Sequence, residues 1–127
     1  MGNVQFNLPG SNLCNRPRKL GPKVGSGVAS YYADSLRGNA TASGEPYDPD
    51  VLSAAHKTLP LGAFVDVVAS SGGGRVCVRV NDRGPYAHKR VIDLSRAAAR
   101  ELGMLEKGIL DVQLHLAGQE CGPYRPP

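Results

Sequence analysis

Residues 63–82 carry two β-patterned runs, AFVDVVAS and RVCVRVND, joined by SGGG at 71–74. β-branched side chains at alternate positions suit a pleated surface with one buried face, and a run of glycines supplies the backbone freedom of a tight reversal. The stretch therefore predicts an antiparallel hairpin. In its second arm Val76, Val78 and Val80 share one face while Cys77, Arg79 and Asn81 share the other. Asp82 continues the valine side where the strand gives way to RGP, an unusual place for a carboxylate unless it makes an Asx-turn, pairs with Arg79 or Arg83, or does chemistry.

A lone hairpin is not a fold, and the rest of the chain supplies partners. GVASYYA (27–33) reads as a strand, and RGNATASGEPYDPD as a dense loop before a short element in VLSAAH. VIDL (91–94) is a short strand feeding SRAAAREL, where Ser95 caps a helix. Leu94, Ala97, Ala98 and Leu102 form that helix's stripe, and Gly103 ends it in the left-handed conformation. GILDVQLHLAG sets Ile109, Asp111, Gln113 and His115 against Leu110, Val112, Leu114 and Leu116, the alternation of a half-buried closing strand. Several short strands, one late helix and no repeat predict a small, mainly β barrel with irregular crossovers, since closure removes exposed edges.

With 127 residues, 41% of them hydrophobic, the chain fits one compact domain. We expect a flexible leader over 1–26, the barrel over 27–118 and a tail over 119–127. The formal charge of +4 favours an acidic partner. Part of it sits in RPRKLGPK (16–23), which lacks apolar periodicity and reads as a solvated arm, so nucleic acid is not an expected partner. Cys14, Cys77 and Cys121 show no CxxC or Cys/His spacing, so neither a metal nor another cofactor is expected. One bridge plus a free thiol fits an oxidising compartment; three thiols fit a reducing one. Cys77, held in a strand, is the better end for any bridge, with Cys14 or Cys121 as its partner. No apolar run approaches the roughly 18 residues that span a bilayer, and 1–13 lacks a secretion signal's apolar core, as in a mature, trimmed chain or a cytosolic one.

Glu45, Asp48, His56, Asp82 and Asp93 are the polar candidates. Each has a structural reading: turn carboxylates beside proline for Glu45 and Asp48, a hydrogen-bonded core histidine for His56, a charge near a helix start for Asp93. Together they could supply the acid and the stabilising group that glycoside cleavage requires.

GVASYYA, TASGEPYD, LSAAHKTLPLGAFVDVV, VRVNDRGPY and RVIDLSRAAARELGM closely resemble, in order and spacing, the RlpA-like (rare lipoprotein A) family of bacteria. The resemblance covers about residues 27–116. It implies a six-stranded double-psi β-barrel with one or two short helices, related to expansins. It also implies a lytic transglycosylase that cleaves peptide-poor peptidoglycan strands between N-acetylmuramic acid and N-acetylglucosamine, or else a non-catalytic, expansin-like polysaccharide binder. On the family pattern Glu45, Asp48 and His56 match active-site positions, Asp82 lines the same groove, and Asp93 matches an acidic position of the expansin relatives. Asp48, partly desolvated, is the expected acid/base. Arg83 and tyrosines 31, 32, 47 and 86 are expected on the substrate side, with the tyrosines as sugar-stacking surfaces. The implied setting is the bacterial envelope, periplasm or outer membrane, with a lipid anchor in some members. The implied partners are glycan strands and cell-wall or division proteins, and the protein itself is expected as a monomer.

Overall fold

The computed structural model describes residues 19–118 and 121. Six strands, β1 (Lys23–Tyr31), β2 (Ser53–Ala55), β3 (Phe64–Ala69), β4 (Arg75–Asp82), β5 (Arg90–Leu94) and β6 (Leu110–Ala117), close into a barrel. Their order around it is β1-β5-β2-β4-β3-β6. One helix, α1 (Arg96–Glu101), and a 3-10 turn at Asp34–Leu36 complete the named elements among the described residues. The expected hairpin is β3–β4, antiparallel with Val65 opposite Val78 and Val67 opposite Val76. β1–β5 and β2–β4 are parallel, and both need long crossovers. The β1 strand starts at Lys23 rather than Gly27, because Lys23, Gly25 and Ser26 pair with β6, a partner that local propensity does not register. Most of the expected leader and tail lies outside the described residues, as does Cys14.

The inward residues alternate as the hydrophobic period demands: Val65 and Val67, Val78 and Val80, Ile92 and Leu94, Val112 and Leu114 are all fully buried. Each of the larger ones contributes about 1.5–3 kcal/mol by leaving water. Ser95 caps α1, accepting a hydrogen bond from the Ala98 N–H at 3.3 Å, and Gly103 follows with φ 73°. The buried pair of α1 is Ala98 and Ala99, where the sequence stripe named Ala97 and Ala98. Six residues are too few for a full stripe, and the tilt of the helix onto the barrel decides which face is covered.

Cys77 is bonded to Cys121, which resolves the pairing left open by the sequence and ties the chain beyond β6 to β4. Beneath the bridge Asp66, directly across from Cys77, is 1% exposed. Arg75 lies 3.9 Å from its carboxylate, partly offsetting the cost of burying a charge.

Candidate functional site

The loop from 38 to 47 folds back on itself. Tyr47 N–H donates to the Asn39 carbonyl at 2.7 Å, Gly38 N–H to the Tyr47 carbonyl at 2.9 Å, and Ala40 bridges Pro46. This turn docks on the end of β4 through the Ser43 N–H, which donates to the Asn81 carbonyl at 3.1 Å. There β4 bulges: Ala54 faces Val80 but Ala55 faces Asp82, so Asn81 is skipped and Asp82 is re-aimed. Two grooves result.

The first, about 310 Å³, is lined by Glu45, Pro46, Asp48, Val51, Leu52, Ser53, Arg79 and Asn81. Arg79 Nη1 reaches both Glu45 oxygens, at 3.0 and 3.3 Å. That hydrogen bond is the largest influence holding the Glu45 carboxyl below its ordinary range, so Glu45 is ionised and poorly suited to be a proton donor. Asp48 is exposed, and its Oδ1 accepts from the Asp50 N–H at 2.9 Å. The expected desolvation of Asp48 is therefore not met: an Asp-Pro turn keeps its side chain at the surface to cap its own backbone.

The second groove, about 340 Å³, is lined by Ser30, tyrosines 31, 32 and 86, Leu36, Asp82, Arg83, Pro85, Arg90 and Asp93, among others. Asp82 is saturated. Its Oδ1 accepts from the Ala42 N–H at 2.9 Å and the Arg83 N–H at 2.8 Å, and its Oδ2 from the Tyr32 hydroxyl at 2.5 Å. Burial first, then this bond to Asp82, pushes the Tyr32 phenol well above its usual pKa, so it stays a donor. Asp93 is half-buried. Its Oδ1 accepts from the Ser30 hydroxyl, placed by the Ser30–Asp93 register of β1 and β5, and its other oxygen has no partner among the described residues. Tyr86, 81% exposed, stands at the mouth.

The fold thus brings Asp82 and Asp93 together, and Glu45 and Asp48 together, in separate grooves. His56 lines neither. Its Nδ1 accepts from the Thr58 and Leu59 N–H groups, both at 3.1 Å, which leaves Nε2 as the proton-bearing nitrogen of the neutral ring. Burial, then the cations of Arg83 and Lys57, hold its pKa below the usual value. Arg83 Nη1 donates to the His56 and Leu59 carbonyls at 3.2 and 2.7 Å, bracing the same loop. Tyr47 is 3% exposed, stacked on Tyr32 with ring centroids 4.5 Å apart, and its hydroxyl accepts from the Arg96 N–H at 3.2 Å. It backs the groove rather than offering a sugar-stacking face. Tyr31 also spends its hydroxyl internally, on the Leu105 carbonyl at 2.6 Å.

Sequence reasoning did not place Arg79, Asn81, Ser30 or Arg90 along a groove, and named Arg79 only as one alternative partner of Asp82. The first two were visible as the polar alternation of β4; Ser30 depends on a parallel register that no local pattern encodes.

Residues 24–114 match the family model described as lytic transglycolase. A probable endolytic peptidoglycan transglycosylase RlpA of Treponema pallidum is 51% identical over 94 residues, covering 74% of this chain and 30% of its own length. Its counterpart from Nostoc sp. is 40% identical over 112 residues, covering 84% and 30%. An endolytic peptidoglycan transglycosylase RlpA of Vibrio cholerae is 39% identical over 117 residues, covering 91% and 43%. The chain thus spans less than half the length of each of these relatives. Among solved structures, a Streptomyces papain inhibitor is 27% identical with TM-score 0.61, covering 78% of this chain and 97% of the inhibitor. An expansin of Clavibacter michiganensis is 26% identical with TM-score 0.57, covering 80% and 52%. With the family match running from β1 into β6 around a closed six-stranded barrel, the chain belongs to the RlpA-like lytic transglycosylases of double-psi β-barrel fold.

Proposed function

We propose that this barrel is a peptidoglycan lytic transglycosylase of the bacterial envelope. It would cleave the β-1,4 bond between N-acetylmuramic acid and N-acetylglucosamine and leave 1,6-anhydromuramoyl ends. The observation that carries the reading is the pairing, in one groove, of Asp93, one oxygen of which has no partner among the described residues, with Asp82, both of whose oxygens are held by three donors. Asp93 is the acid/base. Its proton passes to the glycosidic oxygen as the bond to C1 breaks, and the Asp82 carboxylate faces the positive charge that develops on the ring. The C6 hydroxyl of the same ring then attacks C1 and returns a proton to Asp93. No water is consumed, and the tethered nucleophile brings the high effective concentration of an intramolecular reaction. Tyr86 offers a stacking face for a neighbouring sugar, and the Glu45–Asp48 groove accommodates the continuing strand.

A second reading, a binding module without turnover, is favoured by the state of the Glu45–Asp48 groove, where one carboxylate is neutralised by Arg79 and the other is exposed. Incubation with peptide-free glycan strands separates the two. Mass spectrometry should find ends lighter by one water than hydrolytic ends, and Asp93→Asn should reduce their formation about 10²–10⁴-fold. Loss of cleavage in Asp48→Asn with retention in Asp93→Asn would move the acid to the other groove. Binding without any ends would favour the module.

A further inference from the structure

Asp66 lines neither groove, and the proposed chemistry does not use it, although it is 1% exposed. Withdrawing a carboxylate from water to that degree is costly, so where its charge acts is worth following. On β3 it stands opposite Cys77 of β4 and His115 of β6. The Arg75 guanidinium approaches its Oδ2 at 3.9 Å, and His115 turns its Nδ1 to the Gly21 carbonyl at 2.8 Å. The other carboxylate oxygen, Oδ1, lies 3.9 Å from Cys121 Sγ, one of the two bridge sulfurs. Those sulfurs belong to residues that differ in access: Cys121 is 5% exposed, whereas Cys77 is half-buried. In thiol–disulfide exchange a thiolate attacks one sulfur and the other departs as thiolate. Entry by Cys77 therefore makes Cys121 the leaving sulfur.

We propose that Asp66 is a redox guard: its buried carboxylate opposes thiolate formation at Cys121 and so keeps the Cys77–Cys121 bridge closed against thiol reductants. In the first step a thiolate of an external dithiol bonds to Cys77 Sγ, the bond between the two cysteine sulfurs breaks, and its electron pair leaves with Cys121. That pair arrives 3.9 Å from Asp66 Oδ1, where like charges raise the energy of the thiolate and of the transition state leading to it. Arg75 cancels only part of this field, because it is partly solvated and sits beside the other oxygen. In the second step the dithiol's remaining thiolate attacks its own sulfur in the mixed disulfide, releases Cys77, and leaves as a cyclic disulfide. The two cysteines take up the two protons that the dithiol gave up. What the guard protects is the covalent tie between β4 and the chain beyond β6, so it stands whether or not the grooves cleave glycan.

The test follows reduction of the oxidised, full chain by dithiothreitol near neutral pH without denaturant. Alkylation stops the reaction, and mass spectrometry reads the peptides bearing Cys77 and Cys121. Asp66→Asn should be reduced about 10-fold faster than wild type, at a rate that stays proportional to dithiothreitol. Arg75→Gln, which leaves the carboxylate uncompensated, should be reduced about 3-fold more slowly. The opposite signs are the discriminating readout, since a merely structural role would loosen the barrel wall in both variants and speed both. Equal or slower reduction of Asp66→Asn overturns the proposal, as does a rate in that variant that no longer depends on dithiothreitol, or an unchanged or faster rate in Arg75→Gln. Should Asp66→Asn fail to fold, Arg75→Gln decides alone: slower reduction supports the guard, and an equal or faster rate refutes it.

Discussion

Replacing both Cys77 and Cys121 by serine removes a covalent link between positions separated by 44 residues. In the chain-entropy account, opening a loop of that length returns about 13 cal/mol/K to the unfolded ensemble, or about 4 kcal/mol at 25 °C. Against the 5–15 kcal/mol typical of a domain, that is a large share. Guanidinium unfolding at a slope of about 3 kcal/mol/M should place the double variant's midpoint ~1.3 M below that of wild type, with the slope little changed. Wild type treated with reductant should fall with the variant. Cleavage at 25 °C should persist, because the groove residues of β4 lie beyond Cys77 at Arg79, Asn81 and Asp82. A midpoint drop under about 0.3 M would refute the loop-entropy reasoning and show that the barrel ladders alone carry the stability.

Tyr32→Phe deletes one of the three donors to Asp82 and should lower kcat on glycan strands by about 10-fold or more with the fold intact, read from anhydro-end formation and circular dichroism. His56, depressed in the folded state, contributes stability that is complete above its unfolded pKa of about 6.5 and is lost as pH falls below it. The melting temperature should therefore decline from pH 7.5 to 5.5, and decline less in His56→Gln. Gly27 sits at φ 150°, and a Cβ there would lie 2.6 Å from Val91 Cγ1 and 3.1 Å from the Lys89 carbonyl oxygen. Gly27→Ala should thus lose ~2 kcal/mol in denaturant titration by splaying β1 from β5.

The β3–β4 hairpin, the Ser95 cap and the alternation of β6 were legible because each depends on neighbours in sequence: a glycine turn, a hydroxyl three residues from its amide, a period of two. Strand order was not, since parallel pairs such as β1–β5 join segments with unrelated local patterns. The candidate carboxylates all line one groove or the other, yet their partition was hidden. Asp82 faces the second groove because β4 skips Asn81 opposite β2, and Glu45 is neutralised because a folded-back turn carries it over Arg79. Which oxygen of Asp93 is engaged is set by Ser30, 63 residues away. Such features follow from register and docking, which no window of sequence contains.

Of the six barrel strands β6 is made last, and it is seated between β1 and β3, so the ring stays broken until it arrives. A chain halted short of Leu110 would display two unzipped rims to whatever it meets, and both invite clumping or degradation. Length itself becomes a checkpoint: a shortened product yields no partial barrel, and both grooves gain a closed support only when the sixth, eight-residue stave locks in.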